Sequence, residues 1–310
     1  MIVVLVGPTA VGKSALAVDL AERFAGTGQP AEVVNADSML VYRGMDVGTA
    51  KPSAAERRGI PHHLIDILDV SEPATVAEFQ ALARAAIDDC RRQGVVPIVV
   101  GGSALYIRAI VDDFVFPGTD PGIRAELEEH LGQLGPSALH ERLAGRDPDA
   151  AAAIEPGNGR RIVRALEVVE LTGRPYRATL PPHEYALPGV IQIGLDIDRP
   201  TLDERLAARV EAMWRAGLVD EVRALEAAGL RAGRTASRAL GYRQVLDYLA
   251  GTITEAEAKE QTITATRRFA RRQDSWFRKD PRIRWLRFDR SGLVEAAYAL
   301  AGSGQPGMED

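Results

Sequence analysis

The segment Gly7-Pro8-Thr9-Ala10-Val11-Gly12-Lys13-Ser14 spaces two glycines, a lysine and a hydroxyl as a phosphate-binding loop does. Glycines let backbone N–H groups curl around phosphate oxygens at a helix N-terminus, a lysine adds a point charge, and a serine hydroxyl can ligate Mg²⁺. The pattern specifies a diphosphate or a triphosphate such as ATP. It does not specify a reaction.

Acids near such a loop decide the chemistry. Asp37, in Asn35-Ala36-Asp37-Ser38-Met39, follows the apolar pair Val33-Val34. An acid at the carboxyl end of a central strand shares a rim with the phosphate loop, where it can hold Mg²⁺ through water or act as a general base. A helix cap or a turn is the structural alternative for Asp37. Asp66 and Asp69 are rival acids. Gly101-Gly102-Ser103 ends another apolar run and should turn its hydroxyl and N–H groups into the same crevice. Lys51, in Gly48-Thr49-Ala50-Lys51-Pro52, reads equally well as a charge contact or a surface lysine. His62-His63 would place its two rings on opposite faces of a strand with no third ligand nearby, so no metal site is expected there.

These residues need a scaffold. Ile2 to Val6 and Pro97 to Val100 read as buried strands, Val33-Val34 and Leu64 to Leu68 as short ones. Helical patterns run from Ser14 to Phe24, Val76 to Arg92 and Ala104 to Ile110. Alternation of this kind means an α/β fold, a parallel sheet flanked by crossover helices as in P-loop NTPases. Between Pro117 and Pro188 the pattern is helical only (Ile123 to Leu134, Ser137 to Ala144, Arg160 to Leu171), and Val190 to Ile197 returns as a strand. Helices are then expected at Thr201 to Arg215, Val219 to Ala228 and Thr254 to about Lys279, and a last strand at Ile283 to Phe288. The expected organisation is a discontinuous catalytic core, 1–116 and 189–301, a helical insertion domain at 117–188 and a flexible tail at 302–310.

Composition narrows the class. The chain has 310 residues, 46% of them apolar and 26% charged, with a net charge of −5. Those values exclude a disordered or collagen-like chain, and no apolar run is long enough to span a bilayer. A single cysteine, Cys90, cannot form an internal disulfide or a multi-cysteine zinc site and fits a reducing cytoplasm. The apolar start lacks a basic leader and a cleavage site, so no signal peptide is expected. Charge is unevenly distributed: residues 1–155 carry −9 and residues 156–310 carry +4. Arg267, Arg268, Arg271, Arg272, Arg278, Lys279, Arg282 and Arg284 form the densest basic run, with Phe269, Trp276 and Phe277 between them. A local patch of this kind can bind a polyanion despite an acidic whole.

The phosphate loop, the long segment from Asn35 to Pro52, Pro61-His62-His63-Leu64, Gly101 to Tyr106, Arg164 to Val168, Gly241-Tyr242-Arg243-Gln244 and Arg271 to Arg278 together resemble the bacterial tRNA dimethylallyltransferase (tRNA isopentenyltransferase, IPP transferase) family. The matches run in the family's order over nearly the whole chain. The resemblance implies transfer of a dimethylallyl group from dimethylallyl diphosphate to N6 of the adenosine beside the anticodon. It implies diphosphate binding by Gly7, Thr9, Ala10, Val11, Gly12, Lys13 and Ser14, with Mg²⁺ as cofactor at Ser14. It implies Asp37 as general base, Arg205 as a second source of positive charge, and Ser103 where many relatives have threonine. tRNA contacts are implied at Asp37, Ser38, Met39, Leu40 and Ser103, and at Arg160, Arg161 and Arg164 of the insertion. Further contacts are implied at Arg238, Gly241, Tyr242, Arg243 and Gln244, and at Arg271, Arg272 and Arg278. The zinc finger that some relatives carry is not expected with one cysteine. A cytoplasmic monomer with no obligate protein partner is expected. The alternatives are an ATP-dependent small-molecule kinase, an RNA-binding NTPase and a prenyltransferase for free nucleotides.

Overall fold

The computed structural model describes residues 1–176 and 181–303. Contacts divide it into two compact units, one of Met1–Asp112 with Tyr185–Asp310, the other Asp113–Glu184. The second unit begins and ends four residues ahead of the segment read from the sequence. Most of the expected tail, 304–310, lies outside the described residues.

In the first unit the chain runs β1 (Ile2–Val6), α1 (Lys13–Ala25), β2 (Ala31–Asn35), α2 (Ala54–Arg57), β3 (His62–His63), α3 (Val76–Arg92), β4 (Val96–Val100) and α4 (Ala104–Val111). The second unit contains α5 (Pro121–Arg146), α6 (Pro148–Ala153) and α7 (Gly159–Thr172). The first unit resumes with β5 (Val190–Asp196), α8 (Arg199–Arg215), α9 (Leu218–Ala227), α10 (Tyr242–Leu249), α11 (Glu255–Phe277), β6 (Arg284–Arg287) and α12 (Leu293–Gly302).

The six strands form one parallel sheet in the order β3-β2-β4-β1-β5-β6. Strands β1 and β4 are buried at every residue, as their unbroken apolar sequences require of a sheet covered on both faces. Side chains of alternate strand residues point to opposite faces. Val4, Val34 and Val99 join one core with Phe79, Ile87, Ile107 and Tyr242; Val3, Leu5 and Ile98 join the other with Leu16, Leu20 and Phe24.

Order reversal falls at β1 and β4, with β2 on one side and β5 on the other. Loops leaving the carboxyl ends of these central strands meet in one crevice, the topological switch point of an open α/β sheet. The loops after β1, β2 and β4 carry the phosphate loop, Asp37 and Gly101-Gly102-Ser103.

One strand expectation fails. Leu64 to Leu68 is not a strand: β3 stops at His63, and Leu64 and Asp66 take φ of 62° and 57°. Left-handed backbone at non-glycine residues interrupts strand pairing. It is held here by Asn35, whose Nδ2 donates to the Leu64 carbonyl at 2.9 Å, and by an ion pair between Asp66 and Lys51. Helix α12 was not read from the sequence, although Leu293, Val294, Ala297 and Ala301 space an apolar face that packs on the α1 side of the sheet.

In the second unit, α5 is broken at Gly135 (φ 78°, ψ 169°), just before Pro136. The two pieces and α7 bury Leu127, Leu139, Leu143, Ile162 and Leu166. Glu167 is fully buried there and paired with Arg124 and Arg164, which hold its carboxyl down at about 2 despite burial.

Candidate active site

The phosphate loop departs from β1 through Gly7 (φ 140°), turns at Ala10 (φ 65°) and enters α1 through Gly12 (φ 110°). A side chain at Gly7 would also meet the Leu195 carbonyl at 3.0 Å, so both backbone angle and space require glycine. Gly12 caps α1 with no side-chain hydrogen bond, which leaves the first N–H groups of the helix for a ligand.

A cavity of about 560 Å³ opens above this loop, lined by Thr9, Ala10, Gly12, Lys13 and Ser14, by Asp37 and by Arg205 and Arg209 of α8. The Lys13 Nζ donates to the Pro8 carbonyl at 2.8 Å. Lys13 is half-buried and lines the cavity. Desolvation lowers its pKa to about 8, opposed by the Asp37 carboxylate and reinforced by Arg209. Burial likewise lowers the Arg209 guanidinium, with Asp37 acting against the shift. Arg205 donates from Nε to the Ala10 carbonyl at 2.9 Å and stands over the ring of Phe288. The site therefore sets three cations, Lys13, Arg205 and Arg209, against the two carboxylates Asp37 and Glu56 on its wall, a positive balance as an anionic ligand needs.

A second cavity of about 350 Å³ adjoins the first and shares Thr9, Asp37, Thr49 and Arg209 with it. Its walls include Ser38, Met39 and Ser103, Met213 of α8, Arg238, and Phe269 and Arg272 of α11. Asp37 is fixed at the junction. Its N–H donates to the Asn35 Oδ1 at 2.8 Å, and its own Oδ1 accepts from the Met39 N–H at 2.9 Å. This is a carboxylate anchored by local bonds with its flank exposed to both cavities.

Two anchors escaped sequence reasoning. Gln273, buried on α11, accepts from the Thr9 N–H at 2.9 Å and donates to the Gly102 carbonyl at 2.7 Å. It ties the phosphate loop and the β4 loop to the basic helix. Glu221 of α9 accepts from the N–H groups of Asp46 (3.0 Å), Val47 (2.6 Å) and Gly48 (3.1 Å), and from the Tyr242 hydroxyl (2.5 Å). That carboxylate fixes the Gly48-Thr49 turn against both cavities, and Arg209 donates to the Thr49 carbonyl at 3.1 Å. Arg209 had a readable signal, since it follows Arg205 by one helical turn and shares its face.

Several expected residues have other surroundings. Lys51 is neither a surface residue nor a cavity contact: its side chain is 4% exposed and ion-paired with Asp46 and Asp66. Asp66 is thereby occupied, and Asp69 pairs with Arg43 at 2.8 Å on the surface. Leu40 lines the first cavity. Gly241, Tyr242 and Gln244 are buried. Tyr242 forms a wall of the second cavity, and Gln244 accepts from the Gly241 N–H at 2.9 Å to cap α10. Arg243 alone of that motif is exposed. Arg271 and Arg272 are exposed on α11. Arg278 turns back, paired with Asp196 and Asp274 and lying 4.0 Å over the Trp285 ring. In the second unit Arg160 and Arg161 are exposed, whereas Arg164 is tied to Glu167 and to the carbonyls of Pro117 and Gly118. Among the described residues no helix is long and apolar enough to cross a membrane.

A family model described as IPP transferase matches residues 40–280. A protein of Thermobifida fusca named tRNA dimethylallyltransferase is 62% identical over 96% of this chain and 93% of its own. One from Kineococcus radiotolerans with the same name is 64% identical over 92% of this chain and 90% of its own. The crystal structure of the full-length tRNA isopentenylpyrophosphate transferase of Bacillus halodurans aligns over 98% of this chain and 96% of its own, with 40% identity and a TM-score of 0.71. A eukaryotic dimethylallyltransferase, solved acting on tRNA, aligns over 97% of this chain and 77% of its own, with 27% identity and a TM-score of 0.79. With the phosphate loop, the anchored Asp37 and matches spanning almost the whole sequence in agreement, this chain belongs to the IPP transferase family.

Proposed function

We propose that the protein is a tRNA dimethylallyltransferase, moving a dimethylallyl group from dimethylallyl diphosphate to N6 of the tRNA adenosine on the 3′ side of the anticodon. The observation that carries this reading is the position of Asp37 between two cavities, one walled by cations and phosphate-loop residues, the other by Met39, Met213 and Phe269. A cation-lined pocket suits the diphosphate, and a pocket with apolar walls suits a base that has left its stack.

In this reading Thr9, Gly12, Lys13 and Ser14 hold the diphosphate, and Arg205 and Arg209 face it from α8. As the N6 lone pair forms a bond to the allylic carbon, the bond from that carbon to the diphosphate oxygen breaks. Its electrons leave with diphosphate, which becomes more negative as it departs. Preorganised cations at that position stabilise the transition state more than the ground state. The N6 proton passes to the Asp37 carboxylate, which the Met39 N–H holds in place. Ser103, at the rim of the second cavity, contributes a hydroxyl near the incoming base.

Mg²⁺ fits the donor set. The Ser14 hydroxyl lines the first cavity and is a hard oxygen ligand of the kind this ion takes. Bound there it offsets diphosphate charge. The exposed Arg271 and Arg272 of α11, with Arg238 and Arg243, supply phosphate contacts for an anticodon stem-loop. Arg160 and Arg161 supply them on the second unit. The same reading makes the protein a cytoplasmic monomer.

Incubation with tRNA, Mg²⁺ and labelled dimethylallyl diphosphate, with ATP in parallel, tests this. Label in tRNA is the expected result. Phosphate release from ATP without prenyl transfer would replace the reading with a phosphotransferase or NTPase.

A further inference from the structure

Glu32, His63 and Cys90 are far apart in sequence, yet their side chains converge at the edge of the sheet, on β2, β3 and α3. The His63 Nε2 lies 2.6 Å from the Glu32 Oε2, and the Cys90 Sγ lies 3.7 Å from each of them. Strand register explains the meeting. His63 pairs with Val34, two residues from Glu32, so both side chains leave the sheet on the face covered by α3. His62 points the other way, toward the first cavity. The expectation that the histidine pair lacks a third ligand nearby thus fails at His63.

We propose that Glu32, His63 and Cys90 form a binding site for a thiophilic divalent cation of the zinc class, separate from the catalytic crevice. One sulfur, one imidazole nitrogen and one carboxylate oxygen are the ligand types that Zn²⁺ combines. Zinc–ligand bonds of roughly 2.0–2.3 Å at tetrahedral angles set donor atoms roughly 3.4–3.6 Å apart. Both sulfur distances, at 3.7 Å, need to close by about 0.1 Å or more. The nitrogen–oxygen pair, hydrogen-bonded at 2.6 Å, must open by roughly 0.8 Å to admit the ion. Cys90 is buried, and Glu32 and His63 keep 26% and 34% of their side-chain surface exposed, which gives the ion a path and a water at the fourth position. Binding converts the Cys90 thiol to thiolate and releases its proton to solvent.

The site lies at the amino-terminal half of β2, whereas Asp37 follows its carboxyl end. At about 3.3 Å per strand residue the separation is on the order of 10 Å or more, too far for the ion to join the prenyl transfer. A structural role fits the location. Strand β3 is a two-residue edge strand leading into the left-handed positions Leu64 and Asp66. A metal bound by β2, β3 and α3 would clip this edge to the sheet.

Titration of the full chain with Co²⁺ tests the proposal directly. Cys90 is the only cysteine, so any thiolate-to-cobalt charge-transfer band reports this site and not a metal at the phosphate loop. One equivalent of Co²⁺ should produce that band with intense visible absorption of a tetrahedral ion, and Zn²⁺ but not excess Mg²⁺ should bleach both. His63→Gln and Glu32→Gln should each weaken binding by at least ~10–100-fold, the range lost even when outer partners of a metal site are removed. Cys90→Ala should abolish the band and leave prenyl transfer unchanged. Absence of the band in the unaltered protein at stoichiometric Co²⁺ would overturn the site. So would a band of full strength in His63→Gln and Glu32→Gln, which would mean adventitious binding to the thiol alone.

Discussion

The backbone N–H of Thr9 donates to the side-chain oxygen of Gln273 at 2.9 Å, across 264 positions of chain. The other end of the same amide donates to the Gly102 carbonyl at 2.7 Å. One side chain on the basic helix α11 therefore sets the spacing between the loops after β1 and β4. Both loops line the first cavity, so any movement of α11 on binding a polyanion is felt at the phosphate site.

Gln273→Ala should remove both bonds and leave a buried carbonyl and a partly buried N–H unpaired. The cost should be about 1–3 kcal/mol of folding stability, the usual penalty for orphaned polar groups. The effect on catalysis should exceed this structural loss. With Thr9 released, KM for the prenyl diphosphate should rise more than tenfold while the folded protein keeps its far-ultraviolet spectrum. Denaturant unfolding and steady-state kinetics measure the two effects separately.

Glu221 is the corresponding anchor for the Gly48-Thr49 turn. Glu221→Gln replaces one accepting oxygen with an NH₂ group that faces backbone N–H donors or the Tyr242 hydroxyl. Bonds to a charged acceptor contribute about 1.5–3 kcal/mol each, and at least one is lost. Gly48→Ala should be comparably harmful for a different reason. Its added methyl would lie 2.5 Å from the Tyr242 ring, which is itself fully buried. Thermal unfolding of both variants checks this; a midpoint within 1–2 °C of the parent in either case would remove the turn's anchor.

What the sequence discloses and what it conceals divide along contact range. The phosphate loop, Asp37 and the strands β1 and β4 are readable because each signal is local: an apolar run, a glycine spacing, an acid after a strand. Lys51 was ambiguous because its partners Asp46 and Asp66 lie in separate turns, and Gln273 and Glu221 carry no local pattern at all. Glu32, His63 and Cys90 meet only through strand register and helix packing. Leu64 to Leu68 misleads because a short apolar segment does not report a left-handed φ. Arg205 came from resemblance alone, while its neighbour Arg209 was available from the helix face.

Asp37→Asn keeps the shape of the junction and its bond to the Met39 N–H, since the amide oxygen can still accept. It removes the proton acceptor. Transfer should fall by roughly 10²–10⁴-fold, the range for loss of general-base catalysis, with tRNA affinity within a factor of about three. Single-turnover transfer and filter binding measure these. Full transfer by the variant would exclude Asp37 as the base.

Lys13 makes diphosphate binding depend on pH in a predictable direction. Desolvation places its pKa near 8 in the free protein, below the ordinary lysine value of 10.5. A bound anion favours the ammonium, so the complex holds that proton to higher pH than the free site does. Below pH 8 the free site is already protonated, and Lys13 adds no pH dependence. Above it, binding must first recapture a proton, and log Kd should climb with a slope approaching about one per pH unit until the pKa of the complex is reached. Lys13→Arg separates this from ionisation of the diphosphate itself, because a guanidinium keeps its charge over the whole range. Calorimetric titration of both proteins with diphosphate between pH 6.5 and about 10 should give curves that diverge above pH 8. Parallel curves would mean that the ammonium remains charged throughout and that burial does not lower its pKa.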